Sequence, residues 1–348
     1  MTEKTSSDRR TFMTFAGAGS ALAIAGCTGI LNSTDDQEPE ADAAEGTGDE
    51  GLEAAEEVDV DRIAADPTEL PDPVDWDEPR THEFEMTTTE VTAEIEPGVT
   101  FDYMTFDDRI PGPMVRVRRG DTVNLTLHSD EDNTMPHNID FHAVYGPGGG
   151  AEDTTITPGE SATIAFKAMY PGVHVYHCAV PNLDQHISAG MYGAIVVEPE
   201  DGLPGVDREL YLGQNELSTT GDPGEEGHHA FDFQAMKDEE STYVCLNGEA
   251  YAITPDGYGP VTVEKGERVR LFFANGGPNL TSSWHAIGNV WADFYPTAAW
   301  RTNRRNTSRL RRSRREPSLP PRSIRRSPAR SRSSTTHSPG SPGKGSWA

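Results

Sequence analysis

Four potential metal ligands follow one another in a characteristic order along this chain. They are His137, Cys178, His186 and Met191. Two imidazoles, a thiolate and a weak thioether are the donor set of a type 1 (blue) copper centre, because soft sulfur ligands select copper. A buried cysteine that packs as a small apolar residue is the alternative, but it does not account for the other three ligands. The pattern therefore predicts a copper site, and it requires distant parts of the chain to converge.

A second metal site is indicated by the histidine that precedes Cys178. Successive side chains of a β-strand point to opposite faces, so His177 faces outward if Cys178 faces the interior. By the same parity, an extended stretch places His137 inward and His142 outward. Two outward histidines are too few to hold a catalytic copper, so we expect a third ligand from elsewhere, plausibly another subunit. Asp140 shares the face of His142 and is placed to donate or accept a proton.

These motifs resemble those of copper-containing nitrite reductases. The likeness is carried by His-Asn-Ile-Asp-Phe-His at 137–142, by the His177-Cys178 pair and by the spacing from His186 to Met191, and it covers about residues 83–297. The resemblance implies type 1 copper ligands at His137, Cys178, His186 and Met191. It implies type 2 copper ligands at His142 and His177, with a third histidine from the second domain of a neighbouring chain. It also implies catalytic roles for Asp140 and for His285, which lies in Ser-Trp-His-Ala-Ile-Gly.

The resemblance implies a homotrimer that reduces nitrite to nitric oxide, with a small blue-copper protein or a c-type cytochrome as electron donor. Two other functions stay open. A blue-copper electron-transfer or copper-binding protein needs only the four type 1 ligands. A multicopper oxidase of the laccase type needs His-x-His pairs and a His-Cys-His, whereas Ala179 follows Cys178 and no His-x-His occurs.

Short alternating segments separated by turns predict an all-β fold. Phe84–Ile95 and Val115–Leu127 alternate, and Val261–Phe273 repeats the pattern of the latter around a Lys-Gly-Glu turn. We expect two tandem cupredoxin-like Greek-key domains, each a β-sandwich or barrel. The first occupies 81–200, and the second, which we expect to be incomplete, occupies 205–300.

The amino terminus predicts export. Arg9 and Arg10 precede an apolar run, Phe15–Ala25, that is too short to span a bilayer. Twin arginines before such a run indicate a Tat signal. The run leads into Ala-Gly-Cys27, which resembles a lipobox, so residues 1–27 are interpreted as a signal with a lipid anchor at Cys27. The alternative is an uncleaved signal anchor. We expect the mature protein on the extracellular face of the membrane.

Acidic residues dominate the chain. It contains 57 Asp and Glu against 29 Lys and Arg, with a formal net charge of −28. Residues 28–80 are acidic and poor in aromatic residues, which predicts a disordered linker. With Tat export, this charge suggests a haloarchaeal protein at very high salt, where screening reduces self-repulsion. An ordinary acidic secreted protein is the alternative.

Composition reverses in residues 301–348, which hold 13 Arg, one Lys and a single acidic residue, Glu316. A basic tail that binds nucleic acid is one interpretation. We favour a frameshift near residue 300 and expect no nucleic acid as partner. Codons for Thr335–Ala348, read from each third base, can spell Asp-His-Ala-Leu-Ser-Arg, which resembles the family segment with the third type 2 ligand. That histidine would fall at Thr336, so the ligand is absent from the sequence as written. Such a chain is expected to be impaired in activity, and the shift would be either a sequencing error or a pseudogene.

Overall fold

Strands predominate in the computed structural model, which describes residues 51–146, 148–255 and 257–295 and the backbone of residues 305 and 306. The predicted all-β class is confirmed. Two short helices interrupt the strands, α1 at Leu183–Ser188 and α2 at Phe233–Lys237. Within these residues, no helix has the length and apolar character needed to cross a membrane. The predicted signal at 1–27 lies outside the described residues.

One sheet of five strands carries most of the amino-terminal core. Its strands are β1 (Thr81–Glu96), β2 (Val99–Phe106), β4 (Thr122–Ser129), β6 (Ser161–Lys167) and β10 (Gly227–His229). They lie in the order β10-β2-β1-β4-β6. Every second residue of β4 is buried, including Val123, Leu125 and Leu127. This alternation is typical of a sheet with one face on a core.

A second sheet of four strands packs on the first. Its strands are β3 (Val115–Arg118), β5 (Asp140–Phe141), β7 (Gly172–His177) and β8 (Tyr192–Glu198). They lie in the order β3-β8-β7-β5. Ring contacts join the two sheets: the centroids of Phe106 and Tyr176 are 5.4 Å apart, and those of Phe141 and Phe166 are 5.2 Å apart. The two sheets form a β-sandwich with aromatic residues between them.

The later part of the chain covers the outer face of this second sheet. Its three-stranded sheet has the order β11-β9-β12, with β9 at Arg208–Leu217, β11 at Tyr243–Leu246 and β12 at Val269–Gly277. The backbone at Gly213 and Gly276 approaches the Tyr192 side chain so closely that added methyl groups would lie 2.6 and 2.7 Å from it. All seven residues of β8 are buried because both of its faces are covered. A last short pair joins β13 (Asp293–Phe294) to β14 (Arg305–Asn306).

One expectation from the sequence is wrong here. Residues 261–268 do not form a strand; only the end of the predicted Val261–Phe273 segment does, as β12. The residues before β12 are mostly exposed and pair with no strand among the described residues, so alternation alone does not hold them in a sheet. The domain limits 81–200 and 205–300 stay a prediction, and one strand pair, β10 with β2, joins the two ranges.

The predicted linker is the other correction. Residues 28–50 lie outside the described residues, but residues 51–80 run along the folded body. Ile63 is fully buried, and the amides of Asp59 and Ala65 donate to the carbonyls of Thr92 and Ile110 at 2.9 Å each. A few apolar residues anchor the segment while its acidic residues stay in water. Average composition did not reveal this, since burial of a short segment depends on those few positions.

Buried ion pairs connect the four-stranded sheet to the three-stranded sheet. Arg116 on β3 donates to Glu198 on β8 and to Glu209 on β9, at 2.6 Å each. Arg270 on β12 donates to the same Glu209. The Arg116 and Glu198 side chains are only 1% and 2% exposed. Burial would raise the pKa of Glu209, but hydrogen bonds from the two arginines lower it below its usual value.

Candidate copper centres

The loop between β7 and β8 brings three predicted ligands together. Cys178 follows the last residue of β7, and its amide donates to the Met191 carbonyl at 3.1 Å. The Met191 amide donates in turn to the His186 carbonyl at 3.0 Å. His186 itself lies in the last turn of α1, a helix that the sequence analysis did not predict. These backbone bonds fold the loop so that Cys178, His186 and Met191 are all buried.

His137 joins this loop from the segment before β5. Its Nδ1 lies 3.2 Å from Nδ1 of His186, and that atom lies 3.6 Å from Sγ of Cys178. One donor atom from each of the three residues lies within 4.8 Å of the others. Two imidazole nitrogens and one sulfur at these distances fit the donor set that selects copper. Met191 is fully buried, and its backbone is hydrogen-bonded to Cys178 and His186, so it lies in the same loop as two of these donors.

Burial shifts the pKa values of two of these predicted ligands. Burial raises the pKa of the Cys178 thiol above its usual value. Burial and the nearby His137 lower the pKa of His186 to about 4, so this imidazole is neutral at physiological pH. Neutral imidazole is the form that binds a metal, and a coordinated metal ion deprotonates a thiol.

Two residues that the sequence analysis missed support the ligands. The carboxylate of Glu90 on β1 lies 3.0 Å from Nε2 of His137. Oδ1 of the buried Asn138 accepts a hydrogen bond of 2.6 Å from the amide of Ala179 and so ties the His137 segment to the Cys178 loop. Asn138 stands between two predicted functional residues and could have been suspected. Nothing in the sequence distinguishes Glu90 from the many other acidic residues.

A second pair of imidazoles lies on the opposite side of β7. Nε2 of His142 and Nε2 of His177 are 3.0 Å apart. Two nitrogen ligands of one metal ion lie about 3 Å apart when each is about 2.0 Å from the ion and the angle between the two bonds is about 90°. Nδ1 of His177 donates to the Cys178 carbonyl at 2.9 Å, which leaves Nε2 as the ligand atom. Partial burial and the neighbouring His177 lower the pKa of His142.

Asp140 is paired directly with His177 across β5 and β7, so both side chains lie on the same face of the sheet. A methyl group added to Gly149 would lie 1.9 Å from Oδ1 of Asp140. The close backbone at this glycine therefore fixes where the carboxylate can lie. Its negative charge acts on His142, where it opposes the fall in pKa.

His285 lies apart from this pair. It is exposed in the loop after β12, next to Trp284, whose ring packs on Phe273 at 5.2 Å. Among the described residues, no hydrogen bond, ion pair or ring contact joins His285 to Asp140 or His142. Its predicted catalytic role stays a prediction, and within one chain the structure does not bring it to the site.

A further group of possible ligands, Glu56, Asp102 and His228, lies where the 51–80 segment meets β2 and β10. Its two carboxylates are exposed, and such groups are common without an ion. The neighbouring His229 is fully buried, where its Nδ1 and Nε2 lie 3.1 Å from the Thr219 hydroxyl and 2.8 Å from the Glu225 carbonyl.

Comparisons with known proteins agree with this geometry. A family model for multicopper oxidases matches residues 87–202, the part that contains His137, Cys178, His186 and Met191 and the pair His142 and His177. The chain is 43% identical over 236 residues to the copper-containing nitrite reductase of Neisseria meningitidis serogroup B, which covers 68% of this chain and 60% of that protein. It is 34% identical to the copper-containing nitrite reductase of Pseudomonas chlororaphis, with 69% of this chain and 71% of that protein covered.

A solved structure gives the same result. The copper nitrite reductase of Nitrosomonas europaea superposes with a TM-score of 0.57 at 34% identity, over 65% of this chain and 78% of that chain. The chain spans about 60% of the length of the Neisseria protein. At 34% identity over 71% of the Pseudomonas chlororaphis protein, the chain belongs to the copper-containing nitrite reductase family.

Proposed function

We propose that this protein catalyses the one-electron reduction of nitrite to nitric oxide. One nitrite, one electron and two protons give one nitric oxide and one water. The observation that supports this most is the adjacency of two candidate sites. Cys178 belongs to the buried site and His177 to the outer pair, whose Nε2 atoms are 3.0 Å apart. One backbone unit therefore connects the two sites.

Copper supplies the one-electron redox chemistry when it is bound. Cys178, with His137, His186 and Met191, would hold the copper that accepts the electron. His142 and His177 would hold the copper beside which nitrite binds, and the covalent path from Cys178 to His177 would connect the two sites. Asp140 shares the face of these imidazoles and handles a proton there, since a carboxylate within reach of a bound oxygen can donate or accept.

A neighbouring chain completes the outer site in this proposal, provided that the reading frame after residue 300 is restored. Among the described residues, His142 and His177 provide two imidazoles, and no hydrogen bond or ring contact joins His285 of the same chain to them. With the frame restored, a trimer with the outer site at each subunit interface supplies the third ligand, which the sequence as written lacks, and brings a second-domain His285 to Asp140. A small blue-copper protein or a c-type cytochrome is the proposed electron donor.

The test is anaerobic turnover of nitrite with the copper-loaded protein and a chemically reduced donor, with nitric oxide measured directly. The frame-restored chain is expected to form nitric oxide, and His142→Ala in that chain is expected to lose this activity while it keeps the intense visible absorption of a copper–thiolate bond. The chain as written is expected to show the absorption with impaired activity. Absorption without any nitric oxide in the frame-restored chain would favour the second candidate, an electron-transfer cupredoxin. The specific observation behind that candidate is that, among the described residues, two imidazoles meet at the outer site.

The carboxy-terminal sequence bears on this choice. We propose that the reading frame shifts near residue 300 and that the in-frame continuation carries the third outer ligand. The reversal of charge after residue 300 and the match to Asp-His-Ala-Leu support this. Resequencing of codons 290–348 tests it. One added or missing base restores the ligand, whereas an unchanged frame would mean a chain that retains the blue-copper domain at most.

Export and anchoring form a separate proposal. We propose a haloarchaeal lipoprotein that is exported through the Tat pathway and anchored to the outer face of the membrane at Cys27. Arg9 and Arg10 before a short apolar run, and the strong acidic excess, support it. Replacement of both arginines by lysine is expected to retain the protein in the cytoplasm. Cys27→Ala is expected to release it from membranes after export.

A further inference from the structure

Glu90 reaches the buried copper site from the other sheet of the sandwich. It lies on β1, whereas the ligands lie around β5, β7 and β8. Its Oε1 is 3.0 Å from Nε2 of His137, the ring nitrogen that points away from Cys178 and His186. The His137 side chain is fully buried and that of Glu90 is 17% exposed. The charge of Glu90 is therefore poorly screened by water at this position.

Several donors from one segment hold the Glu90 carboxylate in place. Oε2 accepts from the amide and the hydroxyl of Thr134 at 3.0 and 2.6 Å, and Oε1 accepts from the amide of Met135 at 2.9 Å. Oε1 is also the atom that contacts His137, so each carboxylate oxygen has two partners. Two partners for each oxygen match the acceptor capacity of an ionised carboxylate, which is thereby fixed just before the chain reaches His137.

An ionised carboxylate determines the tautomer of the ring that it contacts. It only accepts hydrogen bonds, so Nε2 of His137 must carry a proton. In the neutral ring the lone pair is then on Nδ1, which lies 3.2 Å from Nδ1 of His186. This is the orientation that metal ligation requires, and carboxylate partners of this kind orient and tune ligating histidines.

We propose that Glu90 is a positioning and tuning residue of the copper site. Its carboxylate holds His137 with Nδ1 directed at the ligand cluster, and its fixed negative charge lowers the reduction potential of bound copper. A nearby negative charge favours the oxidised metal, which carries one more positive charge than the reduced metal. The proposal rests on copper binding at His137, Cys178 and His186, but it does not depend on nitrite reduction.

The experiment compares three variants of the full chain. Glu90→Gln retains an oxygen that can accept from His137 and removes the charge. Glu85→Gln, on the exposed face of the same strand, removes an equal charge away from the site. Thr134→Ala removes one hydrogen bond to the Glu90 carboxylate and keeps its charge. The readouts are the reduction potential from a spectroscopic redox titration and the visible absorption of the copper–thiolate bond.

The expected result is a higher reduction potential in Glu90→Gln, with the absorption retained and both control variants close to the wild type. An unchanged potential in Glu90→Gln would overturn the tuning role, and an equal shift in Thr134→Ala would show that loosening of the segment is the cause. If Glu90→Gln loses its copper, a second measurement still tests the positioning role. In the metal-free wild type, nitrogen NMR of the His137 ring is expected to place the proton on Nε2, and a proton on Nδ1 would overturn the positioning role. If the wild type binds no copper at all, the copper assignment fails instead.

Discussion

His177 and Cys178 are neighbours in sequence, but their side chains serve opposite sides of the same sheet. Cys178 is fully buried, with Sγ 3.6 Å from Nδ1 of His186. His177 points away, with Nε2 3.0 Å from Nε2 of His142. The alternation of a β-strand therefore separates two candidate metal sites while one backbone unit joins them.

The visible absorption of the copper-loaded protein is expected to depend on Cys178. Cys178→Ser replaces the soft thiolate by a hydroxyl and is expected to abolish the intense visible absorption of the copper-loaded protein. Absorption spectroscopy and copper analysis on the same samples check this. Cys245 is the control, because it is also buried and free, and Cys245→Ser is expected to retain the absorption. If the band survived in Cys178→Ser, the sulfur ligand would have been assigned wrongly.

The position of Asp140 depends on the absence of a side chain at Gly149. Gly149→Ala places a methyl group 1.9 Å from Oδ1 of Asp140, at a φ of +48°. In the frame-restored protein, the displaced carboxylate is expected to lower kcat for nitrite by up to about 10²-fold, the cost of a misplacement of about 1 Å, with the copper–thiolate absorption unchanged. Gly159→Ala is the matched control, because its φ is also positive and its nearest atom is 3.7 Å away. Equal losses in both variants would indicate backbone strain rather than displacement of Asp140.

The buried charge cluster is expected to stabilise the fold in a pH-dependent way. Glu209→Gln leaves Arg116 and Arg270 short of a partner and is expected to lower the free energy of unfolding by about 3–5 kcal/mol at neutral pH. Because the folded pKa of Glu209 is lowered, its contribution is complete above the usual carboxyl pKa of 4.5 and is lost as the pH falls through the lower folded value. The difference between wild type and variant should therefore shrink on acidification.

Urea unfolding at neutral and acidic pH measures this difference. Glu69→Gln is the control, because Glu69 pairs with Arg109 at the surface with its side chain 69% exposed. Its effect is expected to be about 0–1 kcal/mol. A difference for Glu209→Gln that grew on acidification would contradict the assigned direction of the pKa shift.

Asn138 is expected to stabilise the loop around the buried site. Asn138→Ala leaves the amide of Ala179 without its 2.6 Å acceptor, and an unmet buried donor costs about 1–3 kcal/mol. Thermal unfolding of the metal-free protein is expected to show the loss. Asn124→Ala, which breaks an exposed hydrogen bond to Glu83, is expected to have little effect. Equal stability of the two variants would argue against this role for Asn138.

Much of the site could be predicted because it depends on local periodicity. The parity of a strand is enough to place Cys178 inward and His177 outward, and both positions agree with the structure. His142 also faces outward, although β5 contains only Asp140 and Phe141, so an extended segment from His137 was not required. Local rules were sufficient wherever the functional residues lie close together in sequence.

Contacts between distant segments could not be predicted in this way. Glu90 meets His137 only because β1 and the segment before β5 pack together in the sandwich. The acidic composition of the segment around Ile63 predicts a disordered linker, whereas a few apolar residues anchor it to the folded body. The helix α1, which carries His186, also escaped prediction, because only six residues form it and its N-cap residue Asn182 makes no side-chain capping bond.

The most direct test of the account is to locate copper in crystals of the copper-loaded protein by anomalous diffraction at the copper edge. One peak is expected among His137, Cys178 and His186, with Met191 beside it. In the frame-restored chain a second peak is expected between His142 and His177, where a neighbouring chain completes the site. Copper that bound elsewhere and left the cluster of His137, Cys178 and His186 without a peak would contradict the account.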